Sequence, residues 1–150
     1  MSSPNNPFGD PFAMLKKPKE TERRIHTRLA RYLRENHPKV RFHSSLDGEH
    51  FGEHQRAHIN ALQWGNGFPD LMIYHHVGQY CGLAIELKTM SGNPYKQDGE
   101  LKKNAHLYEQ SEWLDYLNDH GWRAVFGVGY LNCRDIIKEY ISYATTRSGS

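Results

Sequence analysis

Three charged residues in the middle of the chain carry types and spacing suited to hydrolysing a phosphodiester. Asp70 stands directly before an apolar run, Leu71–Tyr74. Glu86 and Lys88 close a second apolar run, Leu83–Leu87, across the polar turn at 75–79. Carboxylate oxygens are hard ligands for Mg2+ or Mn2+, which keep waters and accept phosphate oxygens. Such a cation acidifies a bound water, and a neighbouring lysine orients that water or offsets negative charge developing on phosphorus. Charged strand ends also occur on ordinary surface hairpins, so the case depends on the elements that bring the three groups together.

Those elements are legible. Two apolar runs joined by a short polar turn predict a hairpin of buried strands. Side chains alternate along a strand, so Glu86 and Lys88 share a face. In an antiparallel pair the start of the first strand lies beside the end of the second, which makes Asp70 their neighbour.

Upstream, a helix is expected from about residue 20 to Asn36, with Thr21 as N-cap and Pro38 beyond its end. Ile25, Leu29, Tyr32 and Leu33 form its apolar stripe. Glu22, three residues before Ile25, is placed on that stripe; a first-turn acid there is satisfied by an arginine, by the helix end or by a metal site. Val40–Leu46 reads as a strand, and Asp47-Gly48 as a turn. Downstream, 89–99 reads as a loop. A helix follows with Leu107, Gln110, Leu114 and Leu117 on one stripe and Gly121 at its end. Gln110 is the polar member, and a buried amide needs partners. Arg123–Gly129 is a further strand and Arg134–Tyr143 a closing helix. The α-β-β-β-α-β-α order describes an α/β domain with a mixed sheet flanked by helices, the hairpin central and the last strand joined by a parallel crossover.

The 150 residues make one domain, and a mean hydropathy of −0.80 with no long apolar run describes a soluble chain with no membrane segment and no signal peptide. Residues 1–18 read as a poorly ordered arm, 19–144 as the domain and 145–150 as a tail. Cys81 and Cys133 lack the spacing of a disulfide framework or a zinc site, which fits the cytoplasm. The net charge is only +2, yet residues 16–41 hold ten Lys or Arg against three Glu. That segment, with Arg23 and Arg24 in it, can track a phosphate backbone or simply form a solvated helix face. Lys96, Lys102 and Lys103 are further candidate DNA contacts from the loop. His50, His54 and His58 recur every fourth residue, a spacing open to a transition metal or to phosphate contact.

The ordered segments Glu22, GFPDLMIY, LAIELKT and QSEWLDYLNDHGWRAVFGVG resemble the VRR-NUC family of the PD-(D/E)XK nuclease superfamily, most closely its small stand-alone, phage-type members. The resemblance implies a restriction-endonuclease-like fold and a metal-dependent DNA endonuclease. Asp70, Glu86, Glu22 and the Leu87 carbonyl would hold Mg2+ or Mn2+. Lys88 would orient the attacking water, with Gln110 beside it. It also implies a 5′-phosphate product and selectivity for junctions, flaps or nicks rather than sequence. Met90–Glu109 is longer than the family pattern, which bears on the placement of Gln110. Cutting both strands of a duplex would need two active sites, hence a homodimer. The rival from another class is a catalytically silent DNA-binding or scaffold protein on the same fold.

Overall fold

The computed structural model describes residues 19–45 and 51–147. The arm at 1–18, the Asp47-Gly48 turn, Leu46 and His50 lie outside the described residues. Among the described residues nine elements follow in chain order. They are α1 (Glu22–Asn36), β1 (Arg41–Ser44), α2 (Glu53–Ala61), β2 (Leu71–Tyr74), β3 (Gly82–Lys88), a 3-10 turn (Met90–Gly92), α3 (Ala105–Asp119), β4 (Trp122–Val128) and α4 (Gly129–Arg147).

The strands form one mixed sheet in the order β1-β2-β3-β4. β1 and β3 both run antiparallel to β2, and β4 is parallel to β3. The central hairpin and the parallel crossover through α3 are those expected from the two apolar runs and the long connection. All seven residues of β3 are buried, as befits a strand covered on both faces. Its odd-numbered members, Leu83, Ile85 and Leu87, face α1 and α4 and pack with Ile25, Leu29, Leu33, Ile137 and Tyr140. Its even-numbered members face α3. Ala84 lies with Met72, Ala124, Leu114 and Leu117, and Glu86 and Lys88 continue along the same face.

Thr21 caps α1 as expected, its hydroxyl accepting from Arg24 N–H at 3.3 Å. Asn104 caps α3, accepting from His106 and Leu107 N–H at 2.9 and 3.2 Å. These caps fix where each helix begins, and so which residue of its first turns faces the sheet. Gly129, at φ +79°, turns the chain directly from β4 into α4. The closing helix therefore starts five residues before Arg134 and continues past Tyr143 to Arg147. Asn132 secures the junction by accepting from Val128 N–H at 2.9 Å. The 89–99 connection is a structured loop: Thr89 accepts from Gly92 N–H, Tyr95 bridges to Leu101, and its ring meets Phe126 edge-on.

Candidate active site

The hairpin register sets the site. Leu71 pairs with Ile85, which places Asp70 opposite Glu86 one step beyond the ladder. Past that end Leu87 N–H has no ladder acceptor on β2, and the Asp70 carboxylate supplies one, accepting at Oδ2 over 2.8 Å. The Asp70 backbone is pinned from the other side, its carbonyl accepting from Ser45 N–H at 2.7 Å. One acid is thus fixed by both neighbouring strands.

Glu86 is only 3% exposed. Its Oε1 accepts from the Gln110 amide, and Lys88 Nζ lies 3.4 Å from the same oxygen. Lys88, 8% exposed, points the same way as Glu86, as strand alternation requires. Gln110 is 5% exposed, and it reaches Glu86 rather than the lysine itself. Two buried oxygens at this point have no hydrogen-bond partner, Glu86 Oε2 and Gln110 Oε1. Burial, and secondarily the negative charge of Asp70, pushes the Glu86 carboxyl up to about 9, with Lys88 opposing. A cation placed here would relieve both the burial and the Asp70 repulsion that make Glu86 costly to ionise.

Two histidines complete the shell. His26 on α1 places Nε2 3.6 Å from Asp70 Oδ1, and its Nδ1 is hydrogen-bonded to the Ser44 hydroxyl. His106 on α3 lies one turn before Gln110, with its Nε2 3.1 Å from the amide nitrogen. An amide nitrogen donates, so in this contact it faces His106 Nε2 as the donor. Gln110 is thereby held with its nitrogen toward Glu86 and its oxygen free. Neither histidine was singled out from the sequence. The available signals were the helical spacings Glu22 to His26 and His106 to Gln110, and the inward alternation of Ser44.

These side chains line a cleft of about 630 Å3 between α1, the start of β2 and the first turns of α3. Glu22 and Arg23 stand on its α1 wall. The expectation that Glu22 lies on the buried stripe is corrected: it is exposed, and the buried residues of α1 are Ile25, Leu29 and Leu33. Glu22 faces the open cleft, one turn before the first buried residue, Ile25. Among the described residues no group of three or more His, Cys, Asp or Glu side chains is disposed to hold a metal ion, so Glu22, Asp70 and Glu86 do not form such a triad.

Of the candidate DNA contacts, only Arg23 is on the cleft wall; Arg24 is exposed elsewhere on α1. Lys96 and Lys102 are exposed on the β3–α3 loop away from the cleft, and Lys96 pairs with Glu100 at 3.1 Å. His54 and His58 lie exposed on α2 and do not join the acid pair. No helix among the described residues is long and apolar enough to cross a membrane.

No family model and no curated protein matches the chain. Among solved structures, a chain described as a "VRR_NUC domain protein" is similar at a TM-score of 0.61 and 23% identity, covering 85% of this chain and 93% of that one. At that identity the likeness speaks for architecture rather than activity. The mixed sheet, its flanking helices and the order in which they are joined give this chain the fold of a VRR-NUC domain.

Proposed function

We propose that this protein is a VRR-NUC family member and a metal-dependent DNA endonuclease. The observation that carries the reading is Glu86 Oε2: a buried carboxylate oxygen without a partner, on the residue facing Asp70 at the foot of a cleft. The residues fit Mg2+ or Mn2+. Both carboxylates are hard oxygen donors, and a cation would give the orphaned oxygen a partner while relieving the repulsion that raises the Glu86 pKa. Asp70 and Glu86 would hold it, with the Leu87 carbonyl as a further oxygen, and Glu22, on the cleft wall, would reach it through water. Once bound, the cation supplies an acidified water and offsets charge gathering on the phosphoryl oxygens.

The chain's own groups do the rest. Lys88 orients the attacking water and donates to oxygens that become more negative during the displacement. Gln110, held by His106, keeps Glu86 Oε1 engaged, leaving Oε2 for the cation. Leu87 N–H fixes Asp70 Oδ2, and His26 stands beside Oδ1, so the acid does not swing away. Arg23 on the opposite wall meets the phosphate backbone. Hydrolysis leaves a 5′-phosphate.

A small domain whose described residues include no recognition-helix module favours junctions, flaps or nicks over sequence. Cutting both strands of a duplex calls for two copies. Two free cysteines, Cys81 and Cys133, suit a reducing cytoplasm.

The test incubates the protein with branched, nicked, single-stranded and plasmid DNA, with Mn2+ or with EDTA. Cleavage is expected only with metal, and its loss in folded Asp70→Ala, Glu86→Ala and Lys88→Ala variants. Cleavage that persists in EDTA or in these variants refutes the mechanism. Binding without cleavage on every substrate favours the silent scaffold instead.

A further inference from the structure

A second cleft, of about 700 Å3, opens on the other side of the contact between the β2 approach and α3. One wall is the stripe Glu109, Glu112, Trp113 and Tyr116, spaced as one face of α3. The other is Trp64–Asn66 in the loop that leads to Asp70. Gly67 separates the two clefts. Its φ of +86° and the absence of a side chain bring the loop against the Glu109–Gln110 backbone, where an added Cβ would stand 2.8 Å from the Glu109 carbonyl carbon. Gln110, under the acid pair, and Trp113, in the second cleft, are three residues apart, a rise of about 4.5 Å along the helix. The two clefts are therefore neighbours on either side of one loop–helix contact.

The walls say what fits. Trp64 is 85% exposed. Trp113 is half-buried and held edge-on by Phe68 and Tyr116, at 5.3 and 6.1 Å between ring centres. Large aromatic faces left open to solvent suit stacking. The carboxylates of Glu109 and Glu112 repel phosphate, so a nucleic-acid backbone stays out and a neutral group with N–H donors is favoured. The volume lies within the range of small-ligand pockets, about 300–1,000 Å3.

We infer that this cleft takes an unpaired nucleobase from the strand whose phosphate lies in the acid-pair cleft, stacking it on Trp64 and Trp113 with its N–H edge toward Glu109 and Glu112. The site rests on the nuclease reading for its location. It deepens that reading by supplying a reason for preferring DNA with an unpaired base near the cut: a base inside a duplex cannot enter.

The test is binding of a fluorescently labelled flap substrate by the full chain in Ca2+ buffer, read by anisotropy, with and without one abasic residue placed in turn at the positions flanking the cut. Trp64→Ala is expected to weaken binding about tenfold, Trp64→Tyr to restore most of it, and one abasic position to weaken wild-type binding similarly. That abasic position should have no further effect in Trp64→Ala, because the base and the ring are the two halves of one contact. Equal affinity for wild type and Trp64→Ala, or additive losses from ring and base, overturns the proposal. So does a wild-type dimer that Trp64→Ala converts to a monomer, which assigns the cleft to a second copy. The two readings separate cleanly. Trp64-dependent, base-dependent binding with no cleavage in Mn2+ removes the nuclease and leaves the pocket. Mn2+-dependent cleavage indifferent to Trp64 and to the abasic residue does the reverse.

Discussion

Replacing Glu86 with Gln tests the electrostatics of the acid pair without any DNA. In the metal-free protein the Glu86 carboxyl is raised from 4.5 to about 9, mainly by burial and then by Asp70. The folded chain therefore keeps a proton that the unfolded chain gives up above about pH 4.5. That contribution to stability is fully present below pH 4.5 and is lost as pH rises toward about 9. The loss runs at about 1.4 kcal/mol per pH unit, so between pH 5 and pH 7 it comes to about 3 kcal/mol. This is a large share of a domain stability of about 5–15 kcal/mol. Glutamine has the same shape, accepts from Gln110 and Lys88, and carries no proton to lose. Urea unfolding in EDTA at pH 5, 6, 7 and 8 reads the effect. The stability of Glu86→Gln minus that of wild type is expected to grow by about 3 kcal/mol from pH 5 to pH 7. Titrating groups away from the acid pair and Lys88 are common to both proteins and cancel. A difference that stays constant across the series would refute the claim that Glu86 is held neutral by its surroundings, and with it the repulsion that a cation would relieve.

Saturating Mn2+ is expected to stabilise the wild type, by about 2.7 kcal/mol at one hundred times Kd, seen as a rise of several degrees in thermal unfolding. Asp70→Ala should show no such rise, and an equal rise in both would place the metal elsewhere. Gly67→Ala is expected to destabilise the fold by at least about 1–2 kcal/mol, because a side chain at φ +86° is strained and its Cβ meets the Glu109 backbone. Since Gly67 seats the approach to Asp70 against α3, cleavage should fall with stability; urea unfolding beside the cleavage assay checks both, and an unchanged midpoint refutes the close approach.

Much of this architecture is local information. The apolar runs 71–74 and 83–87 and the turn between them specify a hairpin, and a hairpin of that register brings residues 70 and 86 face to face across the ladder. Period-two alternation turns Glu86 and Lys88 to the same side. Thr21 with the Ile25, Leu29, Leu33 stripe, and Gln110 with Leu114 and Leu117, are patterns of three or four residues that the backbone geometry of a helix enforces. What was misread is equally instructive. Glu22 shares helical spacing with Ile25, but spacing says nothing of where along the helix burial begins. The start of α4 is hidden because its apolar residues Tyr130 and Cys133 follow the β4 run with no break, and the junction depends on a glycine conformation and on Asn132.

The sequence by itself determined the order of the four strands and of α1, α3 and α4, though not α2, and with it the central hairpin and the meeting of Asp70, Glu86 and Lys88, because each follows from periodicities and pairing rules within short stretches. Only the tertiary structure decided that His26 and Ser44 close on Asp70, that His106 turns the Gln110 amide, and that Trp64 stands across a cleft from Trp113. Those contacts join separate elements, and they depend on how each helix is rotated about its axis and seated on the sheet. That rotation is set by the summed packing of the whole core, which no short stretch of residues encodes.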